Sequence, residues 1–417
     1  MRDVRAALLA GGKGERMGRL TDKTPKPMVP YGGCCRLVDF SVANVVRSGV
    51  REMVVMSRHR ERDLLDHLMR RWDGRGGLHV HLGPHESLLP GLPGLSDPFP
   101  LPGASALPGA SAFPASGISG QSDPSDLYGP SRIPSPPDNS AKRQGGLPPG
   151  LVLPTRPAEL GTADALLANA EWVFAPGARD VLILHADHVY RFDYRPMLQA
   201  HREAAADATI GVQRIERRFV SLFGMVEVDR NNRVLLLVEK PSEPTSDLVF
   251  TAFCLFRADT LGEVLAAFAR LPPTQWRHDI SHDVLPFMIA QGHRVMAFPV
   301  GGYWADIGTV ERYLLGHMDL IRSQATLTLK DMPCTLPGAR PAFVRHKRVV
   351  TSAPLPPQAH LRETVVYPGC VVEAGARVER SVLLPGAHVR AGAEICDTVV
   401  LQQEVIAGAR TGLGDLT

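Results

Sequence analysis

The stretch Ala6-Ala7-Leu8-Leu9-Ala10-Gly11-Gly12-Lys13-Gly14-Glu15-Arg16-Met17 decides the fold. An apolar run over Ala6–Ala10 passes directly into a glycine-rich basic turn, and Pro25-Lys26-Pro27 follows downstream. A buried strand that delivers such a loop suits the wrapping of phosphates. Glycine lets backbone N–H groups approach an anion with no Cβ in the way, and Lys or Arg supplies counter-charge. The spacing lacks the Gly-Lys-Ser/Thr of a Walker loop and the third, helix-opening glycine of the dinucleotide fingerprint. Gly11, Gly12 and Gly14, with Lys13 and Arg16, are therefore candidates for holding a triphosphate.

Outward from this loop, residues 1–83 alternate strand and helix. Val4–Ala10, Glu52–Ser57 and Leu78–Leu82 read as strands. Leu37–Arg47 and Glu61–Trp72 read as helices, the first ended by Gly49. Alternating βα units imply a parallel sheet. The pattern resumes at Gly161-Thr162-Ala163-Asp164-Ala165, a helix start, and at Val181–Leu184, a strand running into His185-Ala186-Asp187-His188-Val189-Tyr190. Further strands are expected at Thr209–Arg214, Gly224–Val228, Val234–Glu239, Val249–Phe256 and Arg294–Val300. Helices are expected at Leu261–Arg270, at His282–Ile289, and from Thr309 to about Arg322. Between the two α/β parts, residues 84–150 hold fifteen of the 36 prolines, mixed with Gly, Ser and Ala. Such a composition cannot bury enough surface to offset its ordering entropy, so a disordered insertion is expected there.

A different period governs the end of the chain. Val366, Val372, Val378 and Leu384 are spaced six apart, as are Leu383, Val389, Ile395 and Leu401, with turns at Gly369, Gly375, Gly386, Gly392 and Gly408. A six-residue aliphatic repeat with small turn residues marks a left-handed parallel β-helix over 345–417, following an α/β domain of 1–330. So short a solenoid needs capping by the first domain or by another subunit.

Composition excludes several classes. With 46 basic and 43 acidic residues in 417, a net charge of +3 gives no reason to expect nucleic-acid or membrane binding. The six cysteines form no C-x-x-C pair, which reads as reduced thiols in a cytoplasmic protein. No run approaches the roughly 18 apolar residues of a membrane span.

In a doubly wound sheet the C-terminal strand ends gather at one edge, where four patches converge. They are the glycine loop, Asp187 after an apolar strand, Asp306 in a short strand-to-helix loop, and Glu239-Lys240-Pro241 at a strand end. Asp187 and Asp306 on one edge suit a shared Mg²⁺ that bridges phosphate oxygens. Glu239 beside Lys240 suits a sugar hydroxyl and a phosphate.

These strings, with Arg36-Leu37-Val38-Asp39-Phe40, Phe223-Gly224, Ser281-His282-Asp283 and Tyr303-Trp304-Ala305-Asp306-Ile307-Gly308-Thr309, resemble the glucose-1-phosphate adenylyltransferases (ADP-glucose pyrophosphorylases) of bacterial glycogen synthesis. The resemblance covers nearly the whole chain except the insertion. It implies a Rossmann-like nucleotidyltransferase domain and Mg²⁺-dependent attack of glucose 1-phosphate on the α-phosphorus of ATP, with pyrophosphate leaving. Arg16 and Lys26 would neutralise phosphates, and Gly11, Gly12, Gly14 and Gly161 would line the nucleotide. Asp187 and Asp306 would hold the metal, and Glu239 and Lys240 the sugar phosphate. A homo-oligomer, a tetramer, is the family expectation.

The chain departs from the family pattern in several places. Leu153–Leu160 is shorter than the usual base-reading segment. The family's Trp-Arg-Asp is Trp304-Ala305-Asp306, its Ser-Met-Gly-Ile-Tyr is Phe250-Thr251-Ala252-Phe253-Cys254, and Cys34 stands where some members carry a base. These changes leave open another nucleotide or sugar phosphate, or a catalytically weak regulatory subunit.

Overall fold

The computed structural model describes residues 1–12, 14–57, 61–83, 160–322 and 327–416. Lys13, the 84–150 segment and residues 153–159, all singled out above, lie outside the described residues.

Strand β1 (Val4–Leu9) is followed by a small antiparallel hairpin, β2 (Pro30–Tyr31) with β3 (Cys35–Arg36), and then by β4 (Glu52–Met56) and β5 (His79–Leu82). The second α/β part adds β6 (Asp180–His185), β7 (His188–Tyr190), β8 (Ala208–Arg214), β9 (Gly224–Val228), β10 (Val234–Glu239), β11 (Leu248–Arg257), β12 (Val295–Pro299) and β13 (Trp304–Asp306). The main sheet runs β10-β9-β11-β6-β1-β4-β5, with β8 and β12 branching from β11. From β6 through β1 and β4 to β5 all pairs are parallel, whereas β11 runs antiparallel to β6, β8 and β9. β1 lies between two parallel neighbours, with Leu9 opposite both Met56 and His185. Helices cover both faces of such a strand, which is why Ala6–Leu9, past the half-buried Arg5, is an unbroken apolar run rather than an alternating one.

Helices Val38–Ser48 and Glu61–Arg71 fall where the periodicity puts them, and the first ends on Gly49 with a left-handed φ of 74°. The expected helix His282–Ile289 divides into a wider turn over Ile280–Val284, capped by the Asp279 carboxylate, and a helix over Leu285–Ala290. A helix over Tyr194–Glu203 was not expected. Its buried Tyr194, Met197, Leu198 and His201 keep helical spacing, and Asp193 accepts from the Arg195 N–H at its start. Asp306 was placed in a loop from sequence. It ends β13 instead, where pairing with β7 sets it opposite His188.

The C-terminal part winds into a left-handed β-helix of three parallel sheets. Successive coils stack Val365 on Val382 and Val399, Leu361 on Val378 and Ile395, and Val372 on Val389 and Ile406. One corner of the coil is held in the left-handed region by Glu363, Arg380 and Asp397 in turn. The solenoid shares a core with the α/β domain. Tyr31, Tyr313 and Ile307 belong to the same buried cluster as Val349, Val365 and Val382. The first domain therefore supplies the cap that so short an array needs.

Candidate active site

The backbone ladder assembles the site. Ala186 N–H donates to the Leu9 carbonyl at 3.0 Å, so the Gly11 turn and Asp187 leave neighbouring parallel strands side by side. The His188–Asp306 pairing of β7 with β13 then carries the second carboxylate to the first. Pro25 and Pro27 flank Lys26 in a single tight turn, and its buried ammonium donates to Asp187 Oδ2 at 2.6 Å and lies 3.9 Å from Asp306 Oδ1.

Two cavities meet on this group. One, of about 300 Å³, is lined by Gly11, Gly12, Lys26, Gly161 and Asp187. The other, of about 220 Å³, is lined by Arg16, Glu239, Lys240 and Asp306. Thr162 and His185 border both. Gly14 lies outside both linings but is needed as glycine. Its φ is 73°, and a Cβ there would come 3.0 Å from the Lys26 Cβ. Gly161 is packed tightly too, since a Cβ would fall 2.2 Å from the His278 carbonyl. Opposite Glu239, a Cβ on Gly224 would lie 2.9 Å from Oε2, so glycine keeps room for the carboxylate.

A divalent cation fits the acidic pair. One ligand atom from each of Asp187, His188 and Asp306 can be chosen with all three within 4.8 Å of one another. Asp187 Oδ1 is buried and has no hydrogen-bond partner, the state of a carboxylate oxygen built to meet something absent from the chain itself. Burial pushes the Asp187 carboxyl upward, but Lys26, His188 and His185 outweigh it and hold the group well below the usual carboxylate range. It is therefore anionic throughout the physiological range. Burial, joined by His188 and Lys26, lowers the neighbouring His185 against the opposing pull of Asp187 and Asp279.

Several contributors escaped the sequence reading. His188 lay inside a quoted string yet drew no attention as a ligand. Arg312, one turn into the helix Val310–Ile321, donates to Asp306 Oδ2 at 2.8 Å and sits 4.8 Å from the Phe223 ring centre. Ala305, at the position of the missing cation, packs against the core shared with the β-helix. Trp304 lines the second cavity, and its Nε1–H is buried without an acceptor.

Backbone strain gathers here as well. Five residues other than glycine in the described α/β domain have positive φ: Ala205, Asn232, Lys240, Ala252 and His278. The first two serve a helix end and a hairpin turn. Lys240 and Ala252 line the second cavity, and the His278 carbonyl packs on Gly161. A left-handed residue with a Cβ costs about 1–2 kcal/mol, and such costs gather where function holds the backbone in place.

A buried sheet edge carrying a glycine turn, a lysine and two carboxylates defines a nucleotidyltransferase. The nucleotidyl transferase family model matches residues 5–81 and 140–323, and the model of the GlmU-like C-terminal hexapeptide matches 347–414. The chain belongs to this family, and its chemistry is nucleotidyl transfer. Among its relatives, a valienol-1-phosphate guanylyltransferase of Streptomyces hygroscopicus subsp. limoneus is 41% identical over 388 residues, covering 90% of this chain and 89% of that protein. A glucose-1-phosphate adenylyltransferase of Thermomicrobium roseum is 33% identical, over 79% of this chain and 63% of its own length. One from Bacillus cereus is 28% identical, over 89% of this chain and 80% of its own. No helix among the described residues is long and apolar enough to cross a membrane.

Proposed function

We propose that the chain transfers the nucleotidyl group of a purine nucleoside triphosphate to the phosphate of a ring 1-phosphate, releasing pyrophosphate. The observation that carries this reading is a pair of cavities flanking the linked Lys26, Asp187 and Asp306, the first two lining one and the third the other, with one buried oxygen of Asp187 left without a hydrogen bond. In this reading Gly11, Gly12, Gly14 and Gly161 cradle the nucleotide, and Arg16 and Lys26 neutralise its phosphates. Glu239 and Lys240 hold the acceptor. Asp187 and Asp306, with His188 beside them, hold Mg²⁺, which lowers the charge on the phosphate oxygens. Little covalent work falls to the protein. Its task is to align two anions in line and to exclude water.

The nearly full-length similarity to a guanylyltransferase supports GTP, and a carbocyclic acceptor such as valienol 1-phosphate. The adenylyltransferase strings, from Ala10–Met17 to Tyr303–Thr309, support a second reading, ATP with glucose 1-phosphate, giving ADP-glucose. Pyrophosphate release measured with GTP or ATP against valienol 1-phosphate or glucose 1-phosphate separates the two. We expect the GTP–valienol pair to give the highest kcat/KM. A maximum at ATP with glucose 1-phosphate would establish the second reading instead.

A further inference from the structure

We infer that Ala252 determines which phosphorylated ring the second cavity accepts, favouring one with an apolar, carbocyclic edge over a glucose ring. The inference rests on the reading of that cavity as the acceptor half of the site. The pairing of β11 with β8 slips here, for Phe250 faces Val212 while Cys254 faces Ile210. Thr251, Ala252 and Phe253 are thus crowded opposite Gly211 alone. A Cβ on Gly211 would lie 2.5 Å from both the Thr251 hydroxyl and the Phe253 ring, so glycine there admits the bulge.

The residues around Ala252 are fixed. Phe253 is buried and stacks on Tyr190 at 5.4 Å, and Thr251 is completely buried. Ala252 lies between them with a φ of 59°, a backbone region that glycine occupies freely and alanine does not. Retaining a methyl there works against stability, which points to a use for it.

The wall shows what that use is. Phe250, Ala252 and Cys254 form consecutive steps of the cavity lining. The polar side chain of this segment, Thr251, is turned into the interior, where its hydroxyl has no partner. A hydroxyl or ring oxygen set against this wall loses its water and gains no hydrogen bond from the side chains of Phe250 and Ala252, whereas a carbon edge loses nothing. The charged and titratable groups stand elsewhere around the cavity, at Arg16, His185, His188, Glu239, Lys240, Asp279 and Asp306.

The test compares the full-length wild type with Ala252→Gly and Ala252→Ser. Each is titrated calorimetrically with valienol 1-phosphate and with glucose 1-phosphate, and kcat/KM is measured for both. We expect wild type to favour the carbocycle. Glycine should reduce that preference about tenfold, the scale of one methyl in a pocket, while raising the melting temperature by relieving the left-handed strain. Serine should shift the preference the same way by offering a hydroxyl. A binding ratio unchanged in both variants overturns the inference, even if glycine raises the melting temperature, because strain relief alone is then the whole effect. Absence of pyrophosphate release from wild type overturns the proposed reaction instead, and the calorimetric ratio still decides the role of Ala252.

Discussion

Asp187 is the residue on which the chemistry turns. It touches Lys26, neighbours His188 and Asp306, and still presents a buried oxygen with no hydrogen bond. Replacing it with Asn keeps the shape and removes the charge. We expect Asp187→Asn to fold normally, to bind Mn²⁺ at least tenfold more weakly by electron paramagnetic resonance, and to lose turnover by roughly 10²–10³-fold, the scale of one preorganised electrostatic contact. Unchanged Mn²⁺ affinity would remove the carboxylate from the metal site. The sequence made Asp187 and the Gly11, Gly12 and Gly14 turn legible because each sits in a short string at the end of an apolar strand, and Lys26 legible because prolines flank it just downstream of that turn. His188 and Arg312 were not legible in this way. His188 meets Asp306 through the register of two three-residue strands, and Arg312 reaches the same carboxylate from a helix that only the tertiary fold brings near. Ala252 was noted as a departure, but its left-handed backbone is a product of packing against Gly211 and cannot be read from composition.

Among the elements, the helix Val310–Ile321 joins the site to the solenoid. Its first turn carries Arg312, and its last turns carry His317, which is fully buried. His317 Nε2 accepts from the Gly32 N–H at 3.1 Å, and Nδ1 faces the Tyr313 carbonyl at 2.8 Å, which fixes a neutral ring protonated at Nδ1. Burial lowers the pKa of this ring to about 4. The unfolded chain binds a proton near pH 6.5 that the folded chain refuses. This group's contribution to stability is therefore complete above about pH 6.5 and is lost as the pH falls toward 4. The loss amounts to roughly 3 kcal/mol at most. We expect the denaturation midpoint of wild type to fall across this interval, and His317→Gln to flatten that part of the slope. An identical slope in both proteins would show that His317 does not control it. Most elements were legible from periodicity. The helix Tyr194–Glu203 was missed although Asp193 and the spacing of Tyr194, Met197, Leu198 and His201 announced it, because Pro196 and polar residues interrupt its apolar run. The latter part of the turn at Ile280–Val284, from His282, was read as ordinary helix, since nothing in Ser281-His282-Asp283 distinguishes the wider hydrogen-bonding pattern.

Across the whole molecule, the β-helix and the α/β domain share one core. A single apolar cluster runs from Met17 and Tyr31 through Tyr313 into Val349, Val365 and Val382. Asp39, fully buried, accepts from the Arg36 N–H, His67 and Trp72 within the first domain and from the Thr335 hydroxyl in the connection to the second. Removing 345–417 strips the cover from Tyr31 and Tyr313, and we expect the shortened chain to aggregate on size-exclusion chromatography. A monodisperse, cooperatively melting product would show that the first domain stands alone. The six-residue period announced the solenoid from sequence, but the shared core was invisible there, because it depends on which aromatic residues of the first domain face the coils. The central claim concerns the cleft that this arrangement holds in place, and the most direct measurement is pyrophosphate release by the full chain with each component omitted in turn. We expect release only when Mg²⁺, a purine nucleoside triphosphate and a ring 1-phosphate are all present. Release without the 1-phosphate, or none with any pair of substrates, would contradict it.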